Sequence, residues 1–370
     1  MSITRDFSRG VAWMALGNWV EQAVNFAVFV TLARLLGASD YGLLAMASVF
    51  IVMCEALVRE SLSEYLISAK NPAPEDMNAT FWLLTGFGLL LALGLAAASG
   101  LAARLYGEAQ VQWLILALCP SIVIVAMNAV PVALLRRTLS FRILAIRAVA
   151  GAVLGGITGI GMALAGLGVW SFVGQWLVMI GTNAVLAWVA ADWRPGLATS
   201  ARQMMTAARF GLHVIGMRLG ELTAGQVPTV AIGATLGPEA TGLYAVAWKL
   251  IETLSFLLVT PIRQASQSAF AALMRQGEGA GDLLQDISRL SSAIAVPFFC
   301  GLALLSGPMV ALVFGAGWES AAPVLAVLSA IGIYLCLARV QVSFCLAAGA
   351  PGPVALVLWV TAGLIAALIL

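Results

Sequence analysis

The polar residues of this chain fall in brackets around long apolar runs. Those runs occupy 11–36, 42–67, 79–103, 111–135, 146–168 and 169–191, then 210–236, 242–270, 287–307, 320–347 and 353–370. A bilayer hydrocarbon core of about 30 Å needs roughly 20 apolar helical residues, which each of these can supply. The pattern therefore predicts an all-α, polytopic integral membrane protein with about eleven transmembrane helices. Proline, glycine and polar residues fall between runs, as in Lys70-Asn71-Pro72-Ala73-Pro74. The connections are too short to hold a globular catalytic domain.

Charge placement adds orientation. With the N-terminus inside, the cytoplasmic segments hold Arg5, Arg9, Lys70, Arg136, Arg137, Arg142, Arg147, Arg194, Arg202, Arg209, Arg275 and Arg289, and only Arg34 and Arg104 fall outside. Basic loops resist translocation, so this asymmetry sets the topology. Trp13, Trp113, Trp170, Trp193 and Trp318 near span ends fit interfacial belts.

Composition agrees: 62% of residues are hydrophobic and 10% charged, against roughly half and a quarter in soluble domains. The net charge of +2 is scattered, so no nucleic-acid partner is expected. Cys54, Cys119, Cys300, Cys336 and Cys345 form no metal-ligand spacing and read as small apolar residues. No cofactor is implied. Arg5 and Arg9 precede an apolar run too long for a signal peptide, so the first span is retained.

The chain repeats itself. Leu32–Gly37 followed by Tyr41-Gly42 is echoed by Ile232–Gly237 followed by Thr241-Gly242, an offset of 200 that also relates Glu21 to Glu221. A second echo relates Leu101–Gly107 to Met309–Gly315. One repeat is about six spans. An even number of spans keeps both copies in the same orientation, so two lobes related by an axis along the membrane normal are expected, an architecture suited to alternating access. The N-terminal lobe covers 1–195 (spans one to six), a cytoplasmic linker 196–209, and the C-terminal lobe 210–370 (spans seven to eleven). Gly37, Gly42, Gly237 and Gly242 are expected to make tight turns.

Charges inside the spans are the candidate chemistry, because an ionisable group at the bilayer centre costs about 2.5 to 3.5 kcal/mol unless a cavity or partner receives it. The candidates are Glu21, Glu55, Arg59, Glu60, Arg218, Glu221, Lys249, Glu252, Arg263 and Arg339. An anionic headgroup sheltered from water needs cationic donors, and Arg59, Arg218, Arg339 and Lys249 are the binding candidates. Glu55 and Arg59 stand four apart, and Arg218 and Glu221 three apart, so each pair can instead neutralise itself along its own helix. Arg339 has no acidic residue three or four positions away and must look elsewhere for a partner. Glu21 and Glu221, equivalent in the repeat, are the candidates for coupling to H+ or Na+. His213, at the start of a span, is assigned no role.

The segment Gly10–Gly42, with its LARLLGASDYG stretch, and Leu134–Ala145, with its Arg-x-Leu-x-Phe-Arg pattern, resemble the polysaccharide flippases of the multidrug, oligosaccharidyl-lipid and polysaccharide exporter superfamily. Members of that family have twelve to fourteen spans. The chain stops at Leu370 inside an apolar run, so a longer parent protein is expected. The resemblance implies a bacterial inner-membrane protein that moves a polyprenyl-diphosphate-linked oligosaccharide to the outer leaflet for surface polysaccharide export, with polysaccharide polymerase machinery as a further partner. Two other functions stay open: a cation-coupled multidrug exporter of the same superfamily, and a membrane-embedded polysaccharide polymerase or ligase. The last would carry a large outer loop with catalytic groups, whereas the outer loops here hold only scattered charges.

Overall fold

A computed structural model describes residues 2–61, 73–199, 201–275 and 281–347, and among them every regular element is a helix. In chain order these are α1 (Ser2–Leu35), α2 (Ala38–Ser61), α3 (Pro74–Tyr106), α4 (Ala109–Arg137), α5 (Phe141–Leu164), α6 (Trp170–Ala190), α7 (Ala201–Arg275), α8 (Gly281–Leu304), α9 (Ser306–Phe314) and α10 (Ala321–Ala347). Among the described residues, eight stretches are long and apolar enough to cross a membrane: Ala38–Arg59, Pro74–Tyr106, Ala109–Arg137, Phe141–Leu164, Trp170–Ala190, Gly225–Leu258, Gly281–Leu304 and Ala321–Val342. The expected spans 11–36 and 210–236 lie in α1 and α7, and 353–370 falls outside the described residues. Leu90, Leu93, Ile157, Val185 and Leu312 stand well exposed, as side chains facing lipid do.

The chain forms two compact units. The first comprises Met1–Leu36 and Leu43–Gln226, the second Gly37–Gly42 and Val227–Leu370. In the first, α5 packs against both α1 and α6, while α4 packs against α3 and α6. Glycine lets α5 approach so closely. A Cβ on Gly155 would lie 2.8 Å from the Gln175 carbonyl and 2.9 Å from the Met179 Cβ, and one on Gly159 would lie 2.9 Å from the Gln175 Cβ. This small-residue stripe is how membrane helices gain contact where no hydrophobic force separates helix from lipid.

The second unit contains all four glycines of the repeat, Gly37, Gly42, Gly237 and Gly242. Its α8 packs on α10. A side chain on Gly42 would strike the Pro238 backbone, and one on Gly242 would strike the Ala38 backbone. Since 38 corresponds to 238 and 42 to 242, the contact is reciprocal, as a two-fold relation between copies requires. Of the four glycines, Gly237 alone takes a left-handed φ, +79°, and breaks α7 there. Gly42 and Gly242 therefore serve close approach rather than turning. Tyr41 meets Trp318 edge-on beside this contact, with ring centroids 5.6 Å apart.

Within the first unit, the segment after α6 is fastened to the start of α3. The Asn78 amide donates to the Ala198 carbonyl (3.2 Å) and accepts from the Gly196 N–H (2.9 Å), and the Trp82 indole donates to the Gly196 carbonyl (2.9 Å). Phe81 packs edge-on against Trp82, Trp188 and Trp193, and the Arg194 guanidinium lies 5.9 Å from the Trp188 ring centre. Asn78→Ala removes two hydrogen bonds, worth about 1 kcal/mol each. The expected result is faster trypsin cleavage after Arg194 in the purified protein, read by gel; an unchanged cleavage rate would show that the aromatic contacts alone hold the segment.

Candidate functional site

Helices α1, α2, α4, α5 and α6 line an open cavity of about 550 Å³ within the first unit. Its walls are apolar in part, with Val125, Val132, Leu144 and Met179, yet five charged side chains enter it: Glu21, Glu55, Arg59, Arg136 and Arg147. No soluble-like surface surrounds these charges, so their mutual arrangement decides whether they are tolerable.

Glu55 is the most deeply set, at 3% exposure. One carboxylate oxygen accepts hydrogen bonds from the Ser121 hydroxyl (2.5 Å) and the Trp176 indole N–H (3.1 Å). The other oxygen lies 3.7 Å from a terminal nitrogen of Arg59, one helical turn along α2. That separation exceeds the 2.7 to 2.9 Å of a charge-assisted hydrogen bond. The Arg59 side chain is 62% exposed, so its charge is presented to the cavity while the Glu55 charge is held by neutral donors. Arg59 also sits in the last turn of α2, where a cation complements the helix dipole.

Opposite this pair, Glu21 on α1 interacts electrostatically with Arg147 and Arg59, and Arg147 in turn with Arg136. Arg136 closes the last turn of α4, where it too complements the dipole. The cluster has three cations and two anions, all contributed by one unit. Arg142, which faces the other way, lies 5.6 Å from the ring centre of Trp13 and fastens α5 to α1. Three amides complete the lining: Asn18 from α1, Asn128 from α4 and Asn183 from α6.

Among the expected binding and coupling residues, the structure brings Arg59 and Glu21 together. Lys249, in α7, pairs with Glu252 at 3.1 Å on its own helix, both half-exposed. Arg339, in α10 of the second unit, is partly buried near Cys336. Arg218 and Glu221 lie outside the residues whose side chains are described. Arg136 and Arg147, counted in the sequence among the cytoplasmic residues that set orientation, are helical and line the cavity. Asn18, Asn128, Ser121 and Trp176 carried no sequence signal, because single polar residues in apolar runs are common and their partners lie tens of residues away.

Residues 31–323 match the family described as polysaccharide biosynthesis protein. The succinoglycan biosynthesis transport protein ExoT of Rhizobium meliloti (strain 1021) is 23% identical over 325 residues, covering 88% of this chain. This chain spans 66% of ExoT, just under two thirds of that relative's length. The teichuronic acid biosynthesis protein TuaB of Bacillus subtilis (strain 168) is 22% identical over 352 residues, 94% of this chain and 72% of TuaB. Among solved structures, the lipid II flippase MurJ in an inward closed conformation superposes with a TM-score of 0.78 at 11% identity, covering 94% of this chain and 78% of MurJ. An inward-facing multidrug resistance transporter of the MATE family superposes at 0.68 with 18% identity, covering 92% of this chain and 83% of its own. At such identities the likeness establishes the fold: a helical transporter architecture of the MurJ and MATE kind.

Proposed function

The chain belongs to the polysaccharide biosynthesis protein family, and from that premise we propose that it is a flippase for polyprenyl-diphosphate-linked oligosaccharide, working from the cytoplasmic to the outer leaflet of the bacterial inner membrane. As a multi-pass membrane protein of that family it has the fold for transport. The observation that carries the finer reading is the cavity in which Arg59, Arg136 and Arg147 converge among spanning helices. Guanidinium groups offer forked donors to phosphate oxygens, and a sheltered site strengthens that attraction.

In this reading the N-terminus is cytoplasmic, and the headgroup enters from the inner leaflet and takes the arginines while the lipid tail stays in the bilayer. Glu21 balances the arginines in the empty cavity. Three cations and two carboxylates leave one positive charge, and a diphosphate diester brings about two negative ones. One H+ or Na+ taken up at Glu21 restores neutrality, with Glu221 as its counterpart in the repeat. Arg218 and Arg339 supply the corresponding cations in a C-terminal lobe from 210 onward, and Lys249, already paired, adds less. The two lobes, 1–195 and 210–370, alternate access around the linker 196–209. No covalent bond is made or broken, and the glycan is passed on to the polymerase machinery.

The test is translocation of an undecaprenyl-diphosphate oligosaccharide in proteoliposomes, followed by a reagent that reaches only one leaflet. Wild type should move the lipid, and Arg59→Ala or Arg339→Ala should slow it at least about tenfold, the loss of one charged hydrogen bond in a sheltered site. If wild type moves none, the flippase reading fails. Cation-driven dye efflux then tests the second reading, a multidrug exporter, which the two cavity carboxylates Glu21 and Glu55 favour.

A further inference from the structure

Two cavity groups hold buried atoms with no hydrogen-bond partner among the described residues, and a phosphate can supply only one of them. The side-chain oxygen of Asn128 is buried and accepts a hydrogen bond from none of the described residues, although Asn128 is only 9% exposed. Buried polar atoms are nearly always paired, so an orphan on a cavity wall marks where a ligand or water binds. In the same wall, the Nε–H of Arg147 is buried and donates to no described residue. Asn183 uses its amide nitrogen on the Met179 carbonyl at 2.9 Å, which leaves its oxygen as the remaining end.

These atoms have opposite demands. Arg147 needs an acceptor, and Asn128 needs a donor. A phosphate diester carries acceptors alone, and a hydrophobic cation carries no acceptor for three arginines. A hydroxylated group bonded directly to a phosphate carries both. The Trp176 indole N–H is already engaged by Glu55, so this side chain adds an apolar ring rather than a further donor. The cavity, about 550 Å³, lies in the range of small-molecule sites and has room for a phosphate and the sugar ring attached to it.

We propose that Asn128 forms a sugar-hydroxyl subsite beside Arg147, receiving the sugar bonded to the diphosphate, with Asn183 and Asn18 as neighbouring amides. This rests on the flippase reading above and deepens it. Asn128 is then a specificity-determining residue: it reads a hydroxyl on the attached sugar, while the arginines hold the phosphates whatever sugar they carry. Sites built to bond a substrate hydroxyl discriminate strongly against analogues lacking it, because the protein group is left unpaired.

The experiment measures binding of short-chain (citronellyl) diphosphate diesters to the full, purified chain in detergent. One set carries glucose or galactose; the control carries a methyl group with the same charge. Wild type should bind the better glycosyl ester about tenfold more tightly than the methyl ester, equivalent to about 1.4 kcal/mol. Asn128→Leu should abolish that advantage and leave the methyl ester's affinity within about twofold, whereas Arg147→Lys should weaken both ligands together. A monodeoxy sugar series on wild type reads the same subsite without a variant: removing one particular hydroxyl should cost most of the tenfold. Equal affinity of glycosyl and methyl esters for wild type, or a preference that survives Asn128→Leu, overturns the subsite while leaving the flippase intact. Failure of every ester to bind wild type overturns the flippase reading itself.

Discussion

Replacing Gly155 by leucine should turn the detergent-extracted protein from a single species into aggregate. A Cβ alone would stand 2.8 Å from the Gln175 carbonyl and 3.3 Å from the Met179 Cα, which are backbone atoms of α6 that cannot rotate away. Overpacking in a tight interface costs about 1 to 3 kcal/mol when side chains can adjust, and here the helix itself would have to move. That displacement would also separate Arg147 on α5 from Trp176 and Asn183 on α6, so the cavity would lose its shape with the interface. Size-exclusion chromatography in detergent should show the monodisperse peak replaced by aggregate. Gly161→Leu is the control: it lies on the same helix, a Cβ there meets nothing within 4 Å, and the protein should elute normally. Aggregation of both variants would point to a general intolerance of α5 rather than to this interface.

The second large effect is expected at Glu55. Glu55→Leu removes the acceptor for both the buried Ser121 hydroxyl and the part-buried Trp176 indole, and leaving the Ser121 hydroxyl buried and unpaired alone costs about 1 to 3 kcal/mol. Glu55→Gln keeps an oxygen for both donors while removing the negative charge 3.7 Å from Arg59. Thermal unfolding in detergent should therefore show a clearly lowered transition for the leucine variant and a smaller change for glutamine. If the two unfold alike, the hydrogen bonds contribute little and the charge is the stabilising element. Lipid translocation by the glutamine variant then asks a separate question, whether the cluster tolerates one more unbalanced cation.

The helices were legible in the sequence because lipid imposes one rule on every spanning segment: satisfy the backbone internally and show the hydrocarbon apolar side chains. The repeat was legible as well, since Gly42 and Gly242 must both lack a side chain to make their reciprocal contact. Their role was not, because sequence spacing does not distinguish a glycine that turns from one that is approached. Within the site, the i,i+4 spacing of Glu55 and Arg59 gave their proximity correctly. What spacing along one helix cannot give is depth: Glu55 is buried by Ser121 and Trp176, which lie 66 and 121 residues away. Arg147 was read from its place among basic neighbours, a cue for topology, and its encounter with Glu21 depends on α5 crossing α1.

All the walls of the cavity belong to a single compact unit. On the proposed flippase reading, a headgroup seated there is cargo of that unit, and its contacts with these walls persist through any rigid displacement of the unit. A ligand gripped equally in two states shifts no equilibrium between them, however tightly it is held. Direction in the proposed flippase cycle must then come from outside these contacts: from the ion taken up at Glu21, and from lipid-linked glycan made on one side of the membrane and consumed on the other. In that reading the protein sets how fast the crossing occurs and which headgroups board, while the ion gradient and the supply and removal of cargo at the two leaflets set which way the traffic runs.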